Sequence, residues 1–366
     1  MALTTVSSER LATNVKTSNL GTELKKKVGQ SKNLIVNGAF QIAQRGTSGS
    51  TASGYPSLDR FYTFSSGLDE NPTMSQGSLT SSDTPFSSGF RKYLRFQNGN
   101  QTSGAGASDQ TWFRQGIEAQ NVAQSGWNYT SSSSFITLSF WIRASVAQTY
   151  YGFLKAPDGS NYLYPFSMAL SANTWTKVTK SIPGNSNLAF DNDTGLGLEV
   201  GIYAYLGTSL TDNSVSLDAW AAYSSGTTRT PDHTTTWYTT NDSTIDITGV
   251  QLEVGSVATD FEHNSYQDEL YHCYRYYVER GFESLLGSKS GAVGYPRVNY
   301  PVVMRAVAST VITYDGTNGA MRNQNDGSKT TGFSTYNHYD YGFASRGSNG
   351  SADIIYSSTY YADAEL

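Results

Sequence analysis

The sequence predicts an all-β protein: a β-sandwich of jelly-roll type, then a short helix and a smaller C-terminal β domain, preceded by a short helical segment. Three observations carry this. The 366 residues include 26 Tyr and 35 Gly; Tyr suits a half-buried pleated surface and Gly supplies the backbone of tight turns. Charged residues make up 15% of the chain, below the roughly 25% usual for soluble domains, which disfavours long charged helices. Finally, short apolar runs alternate with Ser/Gly/Asn/Asp loops, with no long helical pattern between them and no repeat of fixed period.

Residues 1–32 differ from the rest. Leu20, Leu24 and Val28 fall at i, i+4 and i+8 around Lys25, Lys26 and Lys27, a short helical stripe. The stripe is marginal alone in water, so the expectation is an attachment or oligomerisation segment, with a frayed solvated tail as the plainer reading.

The sandwich is expected over residues 33–264. It opens on Asn33-Leu34-Ile35-Val36-Asn37-Gly38, an apolar run closed by a turn signal. Strands are expected at Tyr93 to Phe96, Trp112 to Ile117, Phe135 to Arg143, Trp175 to Ile182, Leu196 to Leu206 and Ile245 to Val254. In the third of these, Ile136, Leu138, Phe140 and Ile142 alternate with Thr137, Ser139 and Trp141, so the wholly apolar set should face a core. A connecting helix is expected over 265–280, capped by Ser265, with Tyr266, Leu270, Cys273, Tyr274 and Tyr277 on one face. Residues 281–366 return to short strands, among them Val302 to Met304, Val311 to Tyr314 and Asp353 to Tyr356.

Composition restricts function. The formal net charge is −5, which lacks the basic footprint of a nucleic-acid partner. No apolar run approaches the roughly 20 residues of a membrane span, so no membrane insertion is expected. The single cysteine, Cys273, allows no intrachain disulfide, and as part of the helix face it reads as a small buried hydrophobe. The first 28 residues lack the apolar core of a secretory signal. Synthesis in a cytoplasm followed by release on lysis reconciles this with a surface-protein composition.

Catalytic constellations are missing from the sequence. His233, His263, His272 and His338 are scattered, without metal-ligand spacing, and no nucleophile elbow or phosphate loop is present. The expectation is a non-enzymatic protein without a cofactor. Asp191-Asn192-Asp193-Thr194-Gly195 resembles half of a calcium loop but lacks the distal Glu; Asp191 and Asp193 are calcium candidates beside the reading of an ordinary acidic turn. Glycan recognition calls for rigid aromatic faces on loops. Trp127 with Tyr129, Trp220, Trp237 with Tyr238, and Tyr339 with Tyr341 are the candidates. For each ring the plainer reading is cover over the end of a sandwich.

Asn33 to Gly46 followed by Asp59-Arg60-Phe61 resembles the opening of many tailed-phage fibre and minor structural proteins. Ile247-Thr248-Gly249-Val250-Gln251-Leu252-Glu253, continuing through Asp260-Phe261-Glu262-His263 to Cys273-Tyr274-Arg275-Tyr276-Tyr277, resembles the close of the same module. Tyr361-Ala362-Asp363-Ala364-Glu365-Leu366 resembles endings found in cyanophage proteins. Leu138 to Arg143 resembles a strand of carbohydrate-binding-module-like jelly rolls. Phe61 stands where the phage proteins more often carry Trp. The resemblance implies a virion component, a homotrimer held to other virion proteins by its N-terminal segment, such as a tail fibre attaching to a host cell-surface polysaccharide. A capsid decoration or head fibre without receptor binding is the alternative, and a glycan-degrading tailspike, which needs a paired carboxylate site, is a further one. A cellular lectin fits less well without a signal sequence.

Overall fold

The computed structural model describes residues 32–159, 161–224, 226–286, 293–294, 297–324, 327–348 and 354–366. The expected stripe of Leu20, Leu24 and Val28 lies outside them.

The chain folds as a two-sheet sandwich followed by a smaller β unit. In chain order the sandwich strands are β1 (Ser48–Ser50), β2 (Ser53–Gly54), β3 (Phe61–Ser66), β4 (Thr73–Ser78), β5 (Lys92–Gln97), β6 (Gln110–Glu118) and β7 (Phe135–Ala144). There follow β8 (Gln148–Ala156), β9 (Tyr162–Leu170), β10 (Thr176–Pro183), β11 (Leu196–Leu206), β12 (Ala221–Ala222) and β13 (Thr244–Val254). One sheet has six strands in the order β1-β4-β5-β13-β7-β10, and the facing sheet has seven, in the order β12-β9-β8-β11-β6-β3-β2. Apart from the hairpins β2–β3, β4–β5 and β8–β9, and from β11 and β12, which share a sheet, successive strands alternate between the two sheets, the jelly-roll arrangement.

The alternation in β7 sets its orientation. Ile136, Leu138, Phe140 and Ile142 are all buried and meet Phe113, Ile202 and Leu252 in the main core; each such side chain contributes about 1.5–3 kcal/mol of burial. Strands β8 and β9 are not among the strands expected from the sequence. Their pairing explains the glycine in β8. Gly152 lies opposite Phe166, whose ring would stand 2.3 Å from a Cβ there.

The opening run is not a hairpin. Leu34 donates to the Leu252 carbonyl (2.9 Å) and Val250 to the Gly38 carbonyl (2.9 Å), so the segment lies against β13. A Cβ on Gly38 would fall 2.1 Å from the Val250 oxygen; the glycine is needed for this approach.

The helix runs over Tyr266–Tyr274, and the Ser265 hydroxyl accepts from the Asp268 amide as expected. Cys273 and Tyr274 are buried, but Tyr266 is 59% exposed, and the inward side carries Glu269, which accepts from the Asn37 amide. The helix is also shorter than expected, since residues 277–280 already belong to β14 (Tyr277–Leu286).

The C-terminal unit continues with β15 (Val293–Gly294), β16 (Arg297–Asn299), β17 (Ser309–Tyr314), β18 (Thr317–Asn318), β19 (Ala320–Asn323), β20 (Lys329–Thr331), β21 (Ser334–Tyr339), β22 (Gly342–Ser348) and β23 (Ile354–Asp363). β23 lies between β14 on one side and β17 and β19 on the other. Val298, Tyr300, Met304, Phe343 and Tyr360 form its separate core. Val302 to Met304, expected as a strand, is a loop: Met304 is buried but Val303 is 55% exposed.

The chain end returns to the sandwich. Glu365 is buried and pairs with both Arg60 and Arg45. Arg305 donates to the carbonyls of Ala364, Glu365 and Thr194 at 2.8–2.9 Å. Glu118 is buried beneath Arg275 and Tyr276. Burial pushes its carboxyl up, and hydrogen bonds from Arg275 and Tyr276 together outweigh this and hold it below the ordinary value.

Candidate functional site

The seven aromatic candidates separate sharply once placed. Trp127 is buried against Phe190. Trp237 is fully buried, stacked on Phe96 at 6.4 Å with 10° between the planes. Tyr238 is buried and stacked on Tyr205 at 4.2 Å, and its hydroxyl donates to Asp109 (2.9 Å). These three rings have no free face for a ligand. The reason is position: Trp237 and Tyr238 lie in the helical turn Thr236–Thr239, which packs on β11 and covers the core. Tyr129 is half-buried, edge-on to Phe190 at 4.9 Å. Trp220 is half-buried over Tyr164, with its indole N–H donating to the Pro183 carbonyl (2.8 Å).

Tyr339 and Tyr341 are different. They are 46% and 53% exposed and stack with centroids 4.9 Å apart and 7° between their planes. They flank the turn between β21 and β22, where Tyr339 pairs with Gly342. The turn is held from beneath by its carbonyls: Asp340 accepts from Met304 (2.7 Å) and Tyr341 from Tyr300 (3.0 Å). A Cβ on Gly342 would lie 2.3 Å from the Val298 oxygen, so only glycine lets β22 approach β16 this closely. A β-bulge between Tyr336 and Tyr339, with Asn337 at φ 48°, re-aims the strand just before the ring pair.

Beside the pair lies an open pocket of about 450 Å³, lined by Arg297, Asn299, Asn337, Tyr339, Tyr341 and Phe343 among others. Arg297, Asn299 and Asn337 are exposed. The arrangement puts a rigid aromatic platform next to a guanidinium and two amides. It can lay rings along an apolar sugar face while planar polar groups hold hydroxyls or a carboxylate.

A second aromatic surface was not among the sequence candidates. On the outer face of the seven-stranded sheet, Phe64 stacks on Trp112 at 5.1 Å, and Tyr62 lies 6.0 Å from the same indole. All three are half-buried, and Arg114, paired with Glu199 at 3.1 Å, lies over Tyr62. The signal was present as alternation: Tyr62 and Phe64 share one face of β3, opposite the buried Phe61 and Thr63.

At the calcium candidates, the Asp193 carboxylate accepts from the Gly195 amide (2.8 Å) and the Asp191 amide donates to Asp158 (2.6 Å). Among the described residues no group of three His, Cys, Asp or Glu side chains is placed to hold a metal ion. Burial pushes the Cys273 thiol well up.

No family model matches the chain, and no curated protein does. Among solved structures it is similar to the N-terminal cellulose-binding domain of Cellulomonas fimi β-1,4-glucanase C, at 11% identity over 54% of this chain and 90% of that one, with a TM-score of 0.28. It is similar to a sugar-binding protein assigned by inference in Bacteroides thetaiotaomicron, at 12% identity over 61% and 100%, TM-score 0.30. The family 11 carbohydrate-binding module of Clostridium thermocellum, in complex with a mixed-linked tetrasaccharide, matches at 9% identity over 58% and 98%, TM-score 0.25. The assignment of a jelly-roll sandwich rests on the two sheets and their strand order.

Proposed function

We propose that this chain is a non-enzymatic virion appendage subunit, a tail fibre, that attaches to a host cell-surface glycan through the Tyr339–Tyr341 pocket. The observation that carries the binding role is the stacked, half-exposed tyrosine pair beside Arg297 and two amides. Stacked tyrosines give a ligand a large, rigid contact area at low conformational cost. The virion placement rests on the sequence resemblance of residues 33–46 and 247–277. In this reading residues 1–32 anchor a homotrimer to other virion proteins, and the sandwich carries the C-terminal β unit outward.

Two measurements test it. Gold-labelled antibody against the chain, viewed by electron microscopy, should mark the tail of purified particles. Label on the capsid favours a head fibre, and particles without label refute the virion role. The purified protein should also be retained on an array of bacterial surface polysaccharides and release no new reducing ends; release would make it a tailspike enzyme.

A further inference from the structure

The sandwich carries another pocket, on the outer face of its six-stranded sheet and far along the chain from the tyrosine pair. Its volume is about 380 Å³, within the roughly 300–1,000 Å³ of small-ligand sites, and Trp141, Phe261, Lys177, Asp260, Ser139 and His263 line it.

Local structure builds this pocket. Trp141 projects from β7 on the outward side, paired across the sheet with Lys177 of β10 and Thr248 of β13. Just beyond Thr248 the ladder bulges, and Gly249 turns left-handed at φ 66°. The Phe90 ring occupies the space a side chain would need, 2.4 Å from a Cβ at that position. Phe90 then packs edge-on against Phe261 at 4.9 Å. His263 closes the far wall, its Nε2 2.9 Å from the Ser88 carbonyl oxygen. The aromatic wall is thus held by the bulge and by a tether between two loops.

The polar groups point to the ligand. Lys177 is exposed, and among the described residues its ammonium has no hydrogen-bond or ion-pair partner. The Asp260 carboxylate is likewise exposed and unpaired; the hydrogen bonds at this residue go to its backbone carbonyl. Lys177 and Asp260 line one pocket without forming a salt bridge to each other. A cation and a carboxylate held apart beside a half-buried indole match a ring with one apolar face and several hydroxyls. The carboxylate accepts from hydroxyl groups, the ammonium donates to hydroxyl oxygens, and the indole covers the C–H face.

We propose that this pocket binds a single neutral pyranose residue, as a site separate from the Tyr339–Tyr341 pocket. The pairing of opposite charges sets the class: Asp260 and Lys177 offset one another, so the pocket offers no net attraction to uronates or sulfated sugars, whereas Arg297 at the other pocket favours acidic ones. The proposal does not depend on the function of the tyrosine pair.

The test is NMR of the full chain with 15N-labelled tryptophan, whose six residues give few indole signals to resolve. The Trp141 signal is assigned by its loss in Trp141→Phe. The probes are methyl α-D-glucopyranoside, methyl α-D-galactopyranoside, methyl α-D-mannopyranoside and sodium glucuronate, each to about 20 mM, above the affinity of a millimolar site. At least one neutral glycoside should shift the Trp141 signal saturably, and glucuronate should not. Lys177→Ala and Asp260→Asn, both at exposed side chains that leave the core intact, should each weaken binding about tenfold, the low end for a hydrogen bond to a charged group. The Tyr339→Ala/Tyr341→Ala double variant should leave the response unchanged. A Trp141 signal indifferent to all three neutral glycosides overturns the proposal. So does a response to glucuronate as strong as to the neutral sugars, or one unaffected by both Lys177→Ala and Asp260→Asn.

Discussion

The guanidinium carbon of Arg60 lies 3.4 Å from the centre of the Tyr276 ring, while its Nη1 pairs with Glu365 and its Nη2 donates to the Gly116 carbonyl at 2.6 Å. Arg60 is almost fully buried, in a left-handed conformation at φ 75°. Burial works against its charge, and Glu365 together with the Tyr276 and Tyr55 hydroxyls outweighs it, so the arginine stays protonated. One residue of the sandwich thereby joins the turn after the connecting helix to the last residues of the chain. A parallel arrangement repeats beside it, where Arg45 lies 3.5 Å from the centre of the Tyr277 ring and pairs with Glu365 and Asp363.

Breaking this junction should be expensive. Removing one partner of a buried ion pair leaves the other charge uncompensated, at about 3–5 kcal/mol. Glu365→Ala should lower unfolding stability by that amount in urea titration. Glu365→Gln should cost less, because the amide still accepts a hydrogen bond. Equal stability of Glu365→Ala and wild type would show that the chain end is not clamped.

His233 should make the sandwich acid-sensitive. It is packed between Tyr151 at 4.8 Å and Tyr205 at 6.0 Å, and burial lowers its pKa from 6.5 to about 3. The folded state therefore holds the ring neutral while the unfolded chain takes up a proton below pH 6.5. Stability is complete above 6.5 and is lost as pH falls towards about 3, with a slope of up to about 1.4 kcal/mol per pH unit. Asp59 acts oppositely: burial raises its carboxyl from 3.8 to about 6, so its share of stability is complete below 3.8 and is lost as pH rises through about 6. His233→Phe should remove the histidine's share of the acid loss, leaving that of depressed carboxylates such as Glu118, and should make stability fall from pH 4 to 6. Unchanged pH profiles for the variant would contradict the assignment.

Gly342→Ala should damage the tyrosine pocket selectively. The added methyl meets the Val298 carbonyl and pushes β22 from β16. Retention on polysaccharide should fall several-fold, while the far-ultraviolet dichroism of the sandwich is preserved.

Ser265→Ala removes the helix cap and should cost about 1 kcal/mol, read as a lower urea midpoint. Cys273, fully buried with its thiol pKa raised, should react with an aromatic disulfide reagent only after unfolding. Rapid reaction of the native protein would mean that the helix opens locally.

What the sequence discloses depends on how local its cause is. The β7 alternation from Ile136 to Ile142 and the Ser265 cap are written in neighbouring residues, and both are found. Tyr339 and Tyr341 stand out because they flank a tight turn, whose exposure is a local property. Trp237 and Tyr238 look the same in sequence, yet they are buried by Phe96 and Tyr205, far away in the chain. The Tyr62, Phe64 and Trp112 surface needs the β3–β6 pairing before it exists. Gly152 in β8 makes sense only across the hairpin, where the Phe166 ring takes the space of a side chain. Tyr266 fits a helical stripe, but the partner surface accepts Cys273 and Glu269 instead.

The attachment claim is tested most directly by equilibrium binding of wild type and the Tyr339→Ala/Tyr341→Ala double variant to a polysaccharide that retains the wild type. The account predicts a loss of about thirtyfold or more, the size of a binding hot spot of about 2 kcal/mol, with unfolding stability unchanged. Equal affinity of the two proteins would contradict it and move the search to the Tyr62, Phe64 and Trp112 face.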